Sequence, residues 1–406
     1  MNAGGFADTT LKFAKGWGVI MRSLKLLVAL MMGVMAAPFL FSSLSEAETT
    51  PVPPVSAKAV ELVDGLSGKV LYQKNAYERL PMASVTKLMT LYLATRAVEQ
   101  KKIHLNELVP VSEEAYHVNG SQIWLEPGER LSVDHLLKAV AIGSANDAAY
   151  ALGEYIAGSP EAFVADMNQT ARRLGMVSTH FTNPHGLHEP DHYTTAHDLA
   201  LLAEQAVRQP LLLHYTSMWE DRSVRNGKGG TLWLINHNRL LRQYPGMDGL
   251  KTGYTSQAGF CMVATAKRDH TRMIAVVLGA PSSKARFQDA ASLLTWGFQH
   301  YQSVSVATKG QVLKEIAVRR GTAKTVPGIV AQDKYLTLLR NEGGIERTVK
   351  LPQSLEAPVS KGQVIGHLVA RQKGREVARV PIVAGKSVMR ATWLGSAWRY
   401  LWKIAG

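Results

Sequence analysis

The chain has 406 residues, 46% of them hydrophobic and 19% charged, with a formal net charge of +14 and a single cysteine. That length exceeds one average domain and can bury a substantial core in each of two, while one cysteine excludes an internal disulfide framework. The positive charge favours anionic partners, but with no zinc-finger spacing, aromatic RNA-binding motif or long basic tract, nucleic acid is not expected among them.

In chain order, Arg22 and Lys25 precede an apolar run from Leu26 to Phe41, and Ser45-Glu46-Ala47 supplies small residues for cleavage. This pattern predicts a secretory signal peptide over residues 1–47 with a long n-region, since the run, interrupted by Gly33 and Pro38, is short for a membrane span. A Pro/Thr-rich lead follows over 48–56. Ala57 to Leu71 reads as two strands around Leu66-Ser67-Gly68. A helix is expected from near Ser84, where Leu88, Leu91, Ala94, Thr95 and Val98 form a stripe at helical spacing.

Val133 to Ile142 reads as a helix that breaks at Gly143-Ser144 and resumes from Asp147 through Ile156, with Asp147 as its cap. Two further helices, Glu161 to Leu174 and Ala196 to Ala206, flank a turn-rich stretch from Asn183 to Tyr193. Strands at Gly259 to Ala266 and Met273 to Leu278 enclose a polar turn, and Cys261 reads as a buried strand residue. A helix from Ala285 to Tyr301 closes the first domain. Short β-type runs then continue from Val304 to about Gly385, among them Ile316 to Arg319, Leu336 to Leu339 and Val364 to Ala370.

Three short peptides carry the chemistry. Ser84-Val85-Thr86-Lys87, Ser144-Ala145-Asn146 and Lys251-Thr252-Gly253 occur in that order, 60 and 107 residues apart, as in the penicillin-recognising serine acyl-transfer signature. Considered singly, Ser84 is an ordinary helix N-cap and Lys87 a surface lysine. Together they make a serine nucleophile and a lysine base, because positions i and i+3 project from one helix face. An ordinary lysine, with a pKa near 10.4, is a poor base at neutral pH, and burial or a second cation must lower it. Lys251 is the candidate second cation. The helix N-terminus places backbone N–H groups where an oxyanion would develop, and Gly253 would let substrate backbone lie against a strand edge.

The longer strings around these peptides, Pro81-Met82-Ala83-Ser84-Val85-Thr86-Lys87-Leu88-Met89-Thr90, Thr182-Asn183-Pro184-His185-Gly186-Leu187 and Asp248-Gly249-Leu250-Lys251-Thr252-Gly253-Tyr254-Thr255, resemble a low-molecular-mass penicillin-binding protein. Specifically, the chain resembles a serine-type D-alanyl-D-alanine carboxypeptidase over about residues 55–404. The resemblance implies an α/β fold. A transpeptidase-like domain over 57–302, with an antiparallel sheet, helices on both sides and a helical subdomain, precedes a small mostly-β domain over 303–386.

It also implies roles. Ser84 attacks the penultimate D-alanine carbonyl of a peptidoglycan stem peptide and Lys87 accepts its proton. Ser144, bonded between Lys87 and Lys251, relays a proton to the leaving D-alanine, and Asn146 holds the substrate amide. Thr252 and a nearby cation bind the terminal carboxylate, while the Ser84 and Tyr254 N–H groups form the oxyanion hole. The chain departs from the family at Ala145, often glycine, and at His237, arginine in some members. The carboxylate-binding cation therefore falls on Arg286, with Arg239 in reserve, and His185 is read as structural. The expected partners are peptidoglycan stem peptides and β-lactams as covalent inhibitors. No cofactor is implied, and no metal, because the histidines show no paired ligand spacing.

Residues 387–406 predict an amphipathic helix, Val388 to Ile404, with Thr392, Ser396, Arg399 and Lys403 on one side and Trp393, Tyr400, Leu401 and Ile404 on the other. Such a segment lies in the plane of a membrane surface, which places the protein on the extracytoplasmic or periplasmic face. Alternatives within reach of the same motifs are a D,D-endopeptidase acting on cross-links, a serine β-lactamase and a non-catalytic wall-binding protein.

Overall fold

The computed structural model describes residues 51–225 and 230–391. The signal-peptide reading and most of the amphipathic tail lie outside the described residues.

The chain enters as a hairpin, β1 (Ala59–Asp64) and β2 (Val70–Lys74), then a 3₁₀ turn (Ala83–Thr86) that runs into α1 (Lys87–Glu99). A helical layer follows: β3 (Leu108–Pro110), α2 (Glu113–Tyr116), β4 (Arg130–Ser132), α3 (Val133–Ala141), α4 (Asn146–Ala157), α5 (Pro160–Leu174), α6 (Ala196–Ala206) and α7 (Pro210–Ser217). A short hairpin, β5 (Glu220–Asp221) and β6 (Leu234–Ile235), and α8 (Leu240–Gln243) lead into β7 (Met247–Thr255), β8 (Gly259–Arg268), β9 (Thr271–Ala280) and α9 (Ser283–His300).

The main sheet is antiparallel in the order β2-β1-β9-β8-β7, so β7 is an edge. Strand β9 is buried throughout because both sheet faces are covered. Met273, Ala275 and Val277 face Leu293, Leu294 and Trp296 of α9. Ile274, Val276 and Leu278 face the helical layer, where Leu88, Leu91, Leu136, Leu152 and Phe163 form the second core. Ser132, Ser159, Thr195 and Ser282 cap α3, α5, α6 and α9 through their side-chain oxygens.

Helix α9 passes directly into β10 (Tyr301–Ala307), which pairs with β13 (Lys334–Leu339). Strands β11 (Val312–Arg319), β12 (Thr325–Val330), β14 (Glu346–Lys350), β15 (Ser354–Glu356), β16 (Val364–Gln372) and β17 (Arg375–Ala384) form a second sheet with its own apolar core. Buried Asp64 at the end of β1 accepts from Ser303 Oγ at 2.8 Å and Thr337 Oγ1 at 2.6 Å, tying the main sheet to the β10–β13 pair.

The tail helix does not begin at Val388. Val388 bridges to Val359 and Arg390 to Gly321 in extended backbone, because buried Val388 completes the β core; Arg390 therefore belongs to an edge bridge. No described helix is long and apolar enough to cross a membrane.

Candidate active site

The site lies where the 3₁₀ turn, the α3–α4 loop and the edge of β7 meet, in a cleft of about 720 Å³. Ser84 sits in the turn and Lys87 opens α1, so Lys87 Nζ donates to Ser84 Oγ at 3.0 Å. Lys87 is fully buried; it also donates to Asn146 Oδ1 and, at 2.7 Å, to the His185 carbonyl. Burial, then nearby Lys251, holds its ammonium well below the ordinary lysine range, while Asp147 acts in the opposite direction. The i, i+3 spacing thus brings Lys87 to Ser84, with its pKa lowered in the direction a base needs. The His185 carbonyl was not legible as a ligand of Lys87, since any residue type can supply a backbone oxygen.

Lys251, on β7, donates to Ser144 Oγ at 2.9 Å and to the Thr252 carbonyl at 2.9 Å. Burial and Arg286 lower its pKa to about 7. Ser144 thus bonds Lys251, while Lys87 turns to Asn146 and His185 instead; the expected link from Lys87 to Ser144 is replaced because Asn146 Oδ1 points at the lysine. Ala83 (φ +50) and Ser144 (φ +58) are both in the left-handed region, so backbone strain falls on the residue before Ser84 and on Ser144 itself.

Asn146 opens α4 and its Nδ2 donates to the Asn119 carbonyl at 2.6 Å. Asp147 is not the helix cap. That position is Ala145, without a side-chain bond, and the buried Asp147 carboxylate instead accepts from the Ile123 and Leu125 amides at 3.1 and 3.2 Å. The loop that carries Trp124 into the cleft wall is fastened this way.

Gly253 meets a second requirement as well. A Cβ there would meet Ser84 N at 2.9 Å, Val85 N at 2.8 Å and Met82 O at 2.9 Å. The glycine lets β7 lie against the turn that carries Ser84. Thr252 is buried on the cleft wall; Tyr254 is exposed and packs on Phe260 at 4.3 Å.

Arg286 of α9 reaches the same wall, with Nη1 donating to the Gly253 and Cys261 carbonyls at 3.1 and 3.3 Å. Its buried Nε has no acceptor among the described residues, and burial lowers its pKa to about 10. Arg239 and His237 line the cleft as well. Burial, then Lys251, depresses His237 to about 4, so its ring is neutral and adds no cation. His185 is likewise neutral, depressed to about 3 by burial and then Lys87. Cys261 is buried on β8. Among the described residues no group of three or more His, Cys, Asp or Glu side chains is placed to hold a metal.

Whole-chain comparison carries the decision beyond these residues. The model of the D-alanyl-D-alanine carboxypeptidase family matches residues 46–282, and that of the penicillin-binding protein 5 C-terminal domain matches residues 301–390. The chain belongs to the D-alanyl-D-alanine carboxypeptidase family. Among the family's members, the chain is 36% identical to the D-alanyl-D-alanine carboxypeptidase DacF of Bacillus subtilis, over 91% of this chain and 96% of that protein. It is 33% identical to DacC of Escherichia coli, over 89% and 92%.

Penicillin-binding protein 5 from Haemophilus influenzae has the same fold, with a TM-score of 0.71, 32% identity and coverage of 84% of this chain and 99% of that one. Penicillin-binding protein D2 from Listeria monocytogenes in its ampicillin-bound form aligns with a TM-score of 0.55 and 34% identity, over 61% of this chain and 100% of that one. The carboxypeptidase family resemblance, the serine hydrolase class and the transpeptidase-like fold with a β domain behind it are therefore as the sequence led one to expect.

Proposed function

We propose that the protein removes the terminal D-alanine from peptidoglycan pentapeptide stems through a Ser84 acyl-enzyme, and so limits cell-wall cross-linking. The observation that carries this reading is the 3.0 Å bond between Ser84 Oγ and a buried Lys87 whose pKa is held well below the ordinary lysine range by burial and by Lys251. Lys87 Nζ takes the hydroxyl proton as Oγ attacks the penultimate D-alanine carbonyl. The oxyanion rests against the Ser84 and Tyr254 N–H groups. Ser144, fixed by Lys251, passes its hydroxyl proton to the departing amine and regains one from protonated Lys87 as the C–N bond breaks; the Lys87 amine thus freed takes a proton from water, which hydrolyses the ester, and returns that proton to Ser84 Oγ.

Arg286 supplies the cation opposite the terminal carboxylate, since its buried Nε lacks an acceptor among the described residues and His237 is neutral; Thr252 bonds the same group. Asn146 contacts the substrate amide once its bond to Lys87 is shared. A β-lactam, whose strained amide stands in for the scissile bond, acylates Ser84 in the same way. Export to the extracytoplasmic face and attachment to a membrane surface through residues 392–406 complete the reading.

The test is D-alanine release from a pentapeptide ending in D-alanyl-D-alanine, with and without Ser84→Ala. Release by the protein and its loss in the variant are expected. No release by the unaltered protein would sink the carboxypeptidase reading, and fluorescent penicillin that still labels Ser84→Ala would disprove the nucleophile.

A further inference from the structure

Two exposed tryptophans stand in the wall of the Ser84 cleft, and both are pinned. Arg222, which stands across from Trp233 on the β5–β6 hairpin, lays its guanidinium 4.3 Å from the indole centroid. The indole Nε1 donates to Glu220 Oε2 at 2.8 Å. The hairpin is itself tied to α3, where Lys138 Nζ bonds Ser223 Oγ at 3.0 Å. Trp233 nevertheless stays 59% exposed. Trp124 is 65% exposed and has φ +57, an outlier for so bulky a residue; the Asp147 carboxylate holds the amides on either side of it.

Leaving two indoles in water forgoes burial free energy, and holding one in strained backbone adds to that. A rigid indole facing outward loses little rotamer freedom when something stacks on it, which is the property of a ligand platform.

We propose that Trp124 and Trp233 form a sugar-stacking subsite that receives the glycan to which the stem peptide is attached. This rests on the carboxypeptidase reading above. Both indoles line the cleft that holds Ser84, so the group reaching them is covalently joined to the acyl donor. Four residues separate the scissile bond from the sugar, a span of about 14 Å or more for an extended stem. The flat face of a pyranose presents C–H groups, which pack on the electron-rich face of an indole. The pinning groups Glu220 and Arg222 are placed to meet the hydroxyls at its rim.

The experiment compares D-alanine release from a disaccharide-pentapeptide and from the free pentapeptide, reading the ratio of their kcat/KM values. The unaltered protein is expected to favour the glycan-linked substrate by about tenfold, and Trp233→Leu and Trp124→Leu each to lower that ratio about threefold through KM. A ratio of one in the unaltered protein, or a ratio unchanged in Trp233→Leu, overturns the subsite. Trp233 is on a surface hairpin, so that variant carries the test even if Trp124→Leu fails to fold; penicillin acylation checks its folding. Absence of release from both substrates overturns the carboxypeptidase reading and the subsite with it. Release from free pentapeptide without a glycan advantage overturns the subsite alone.

Discussion

Lys251 Nζ donates to Ser144 Oγ at 2.9 Å, joining two residues 107 positions apart inside the protein. Burial and Arg286 lower the lysine from 10.5 to about 7. Between those values the unfolded chain binds a proton that the folded chain lacks, so stability rises with pH across this window. Chemical denaturation should show a gain of about 2 kcal/mol between pH 7 and pH 9, and Lys251→Met should lose that increment together with acylation. An equal rise in the variant would refute the depressed lysine.

Asp147 works against the depression of Lys87. Asp147→Asn removes the charge, so Lys87 deprotonates at still lower pH and the acidic limb of the penicillin acylation profile should shift to lower pH. The amide also turns donors toward the Ile123 and Leu125 N–H groups, at a stability loss of about 2 kcal/mol. A profile that moves to higher pH would contradict the assignment.

A Cβ on Gly253 would meet backbone atoms of the turn that carries Ser84, which cannot swing aside as a flexible side chain would. Gly253→Ala should push β7 from Ser84 and slow penicillin acylation by about 100-fold. Measured acylation within threefold of the unaltered protein would show that the contact yields without consequence.

Asp64 accepts from Leu66 N at 2.9 Å as well as from Ser303 and Thr337. Asp64→Ala strands these buried donors, and a loss of about 2–4 kcal/mol is expected, with earlier protease cleavage near Ser303. Penicillin acylation at 25 °C should persist, because Asp64 is remote in role from the cleft. Unchanged denaturation midpoints would remove the latch.

Because Val388 and Arg390 are bridged into the β domain, the cut that separates anchor from fold falls after Ala391. Truncation there should release active protein from membranes, read by sedimentation with vesicles containing anionic lipid. Continued sedimentation would refute the anchor.

Much of this protein is written locally in its sequence. Helical stripes such as Leu88, Leu91 and Ala94 and the β9 run depend on neighbours a few positions away, so they were legible along with the three motifs. Contacts that join distant segments were not: Asp147 reads as a helix cap because its loop partners lie more than twenty residues upstream. Trp233 stands exposed in the cleft wall although apolar residues flank it on both sides in the chain. The sequence by itself determined which groups can attack, accept a proton and bind an anion, since those are properties of residue type and spacing. Only the tertiary structure decided that Lys87 meets Asn146 and His185, that Ser144 belongs to Lys251, and that Gly253 serves the nucleophile's turn. Burial and close backbone approach exist only after distant segments pack together, and they set both the lysine pKa values and the room a glycine must leave.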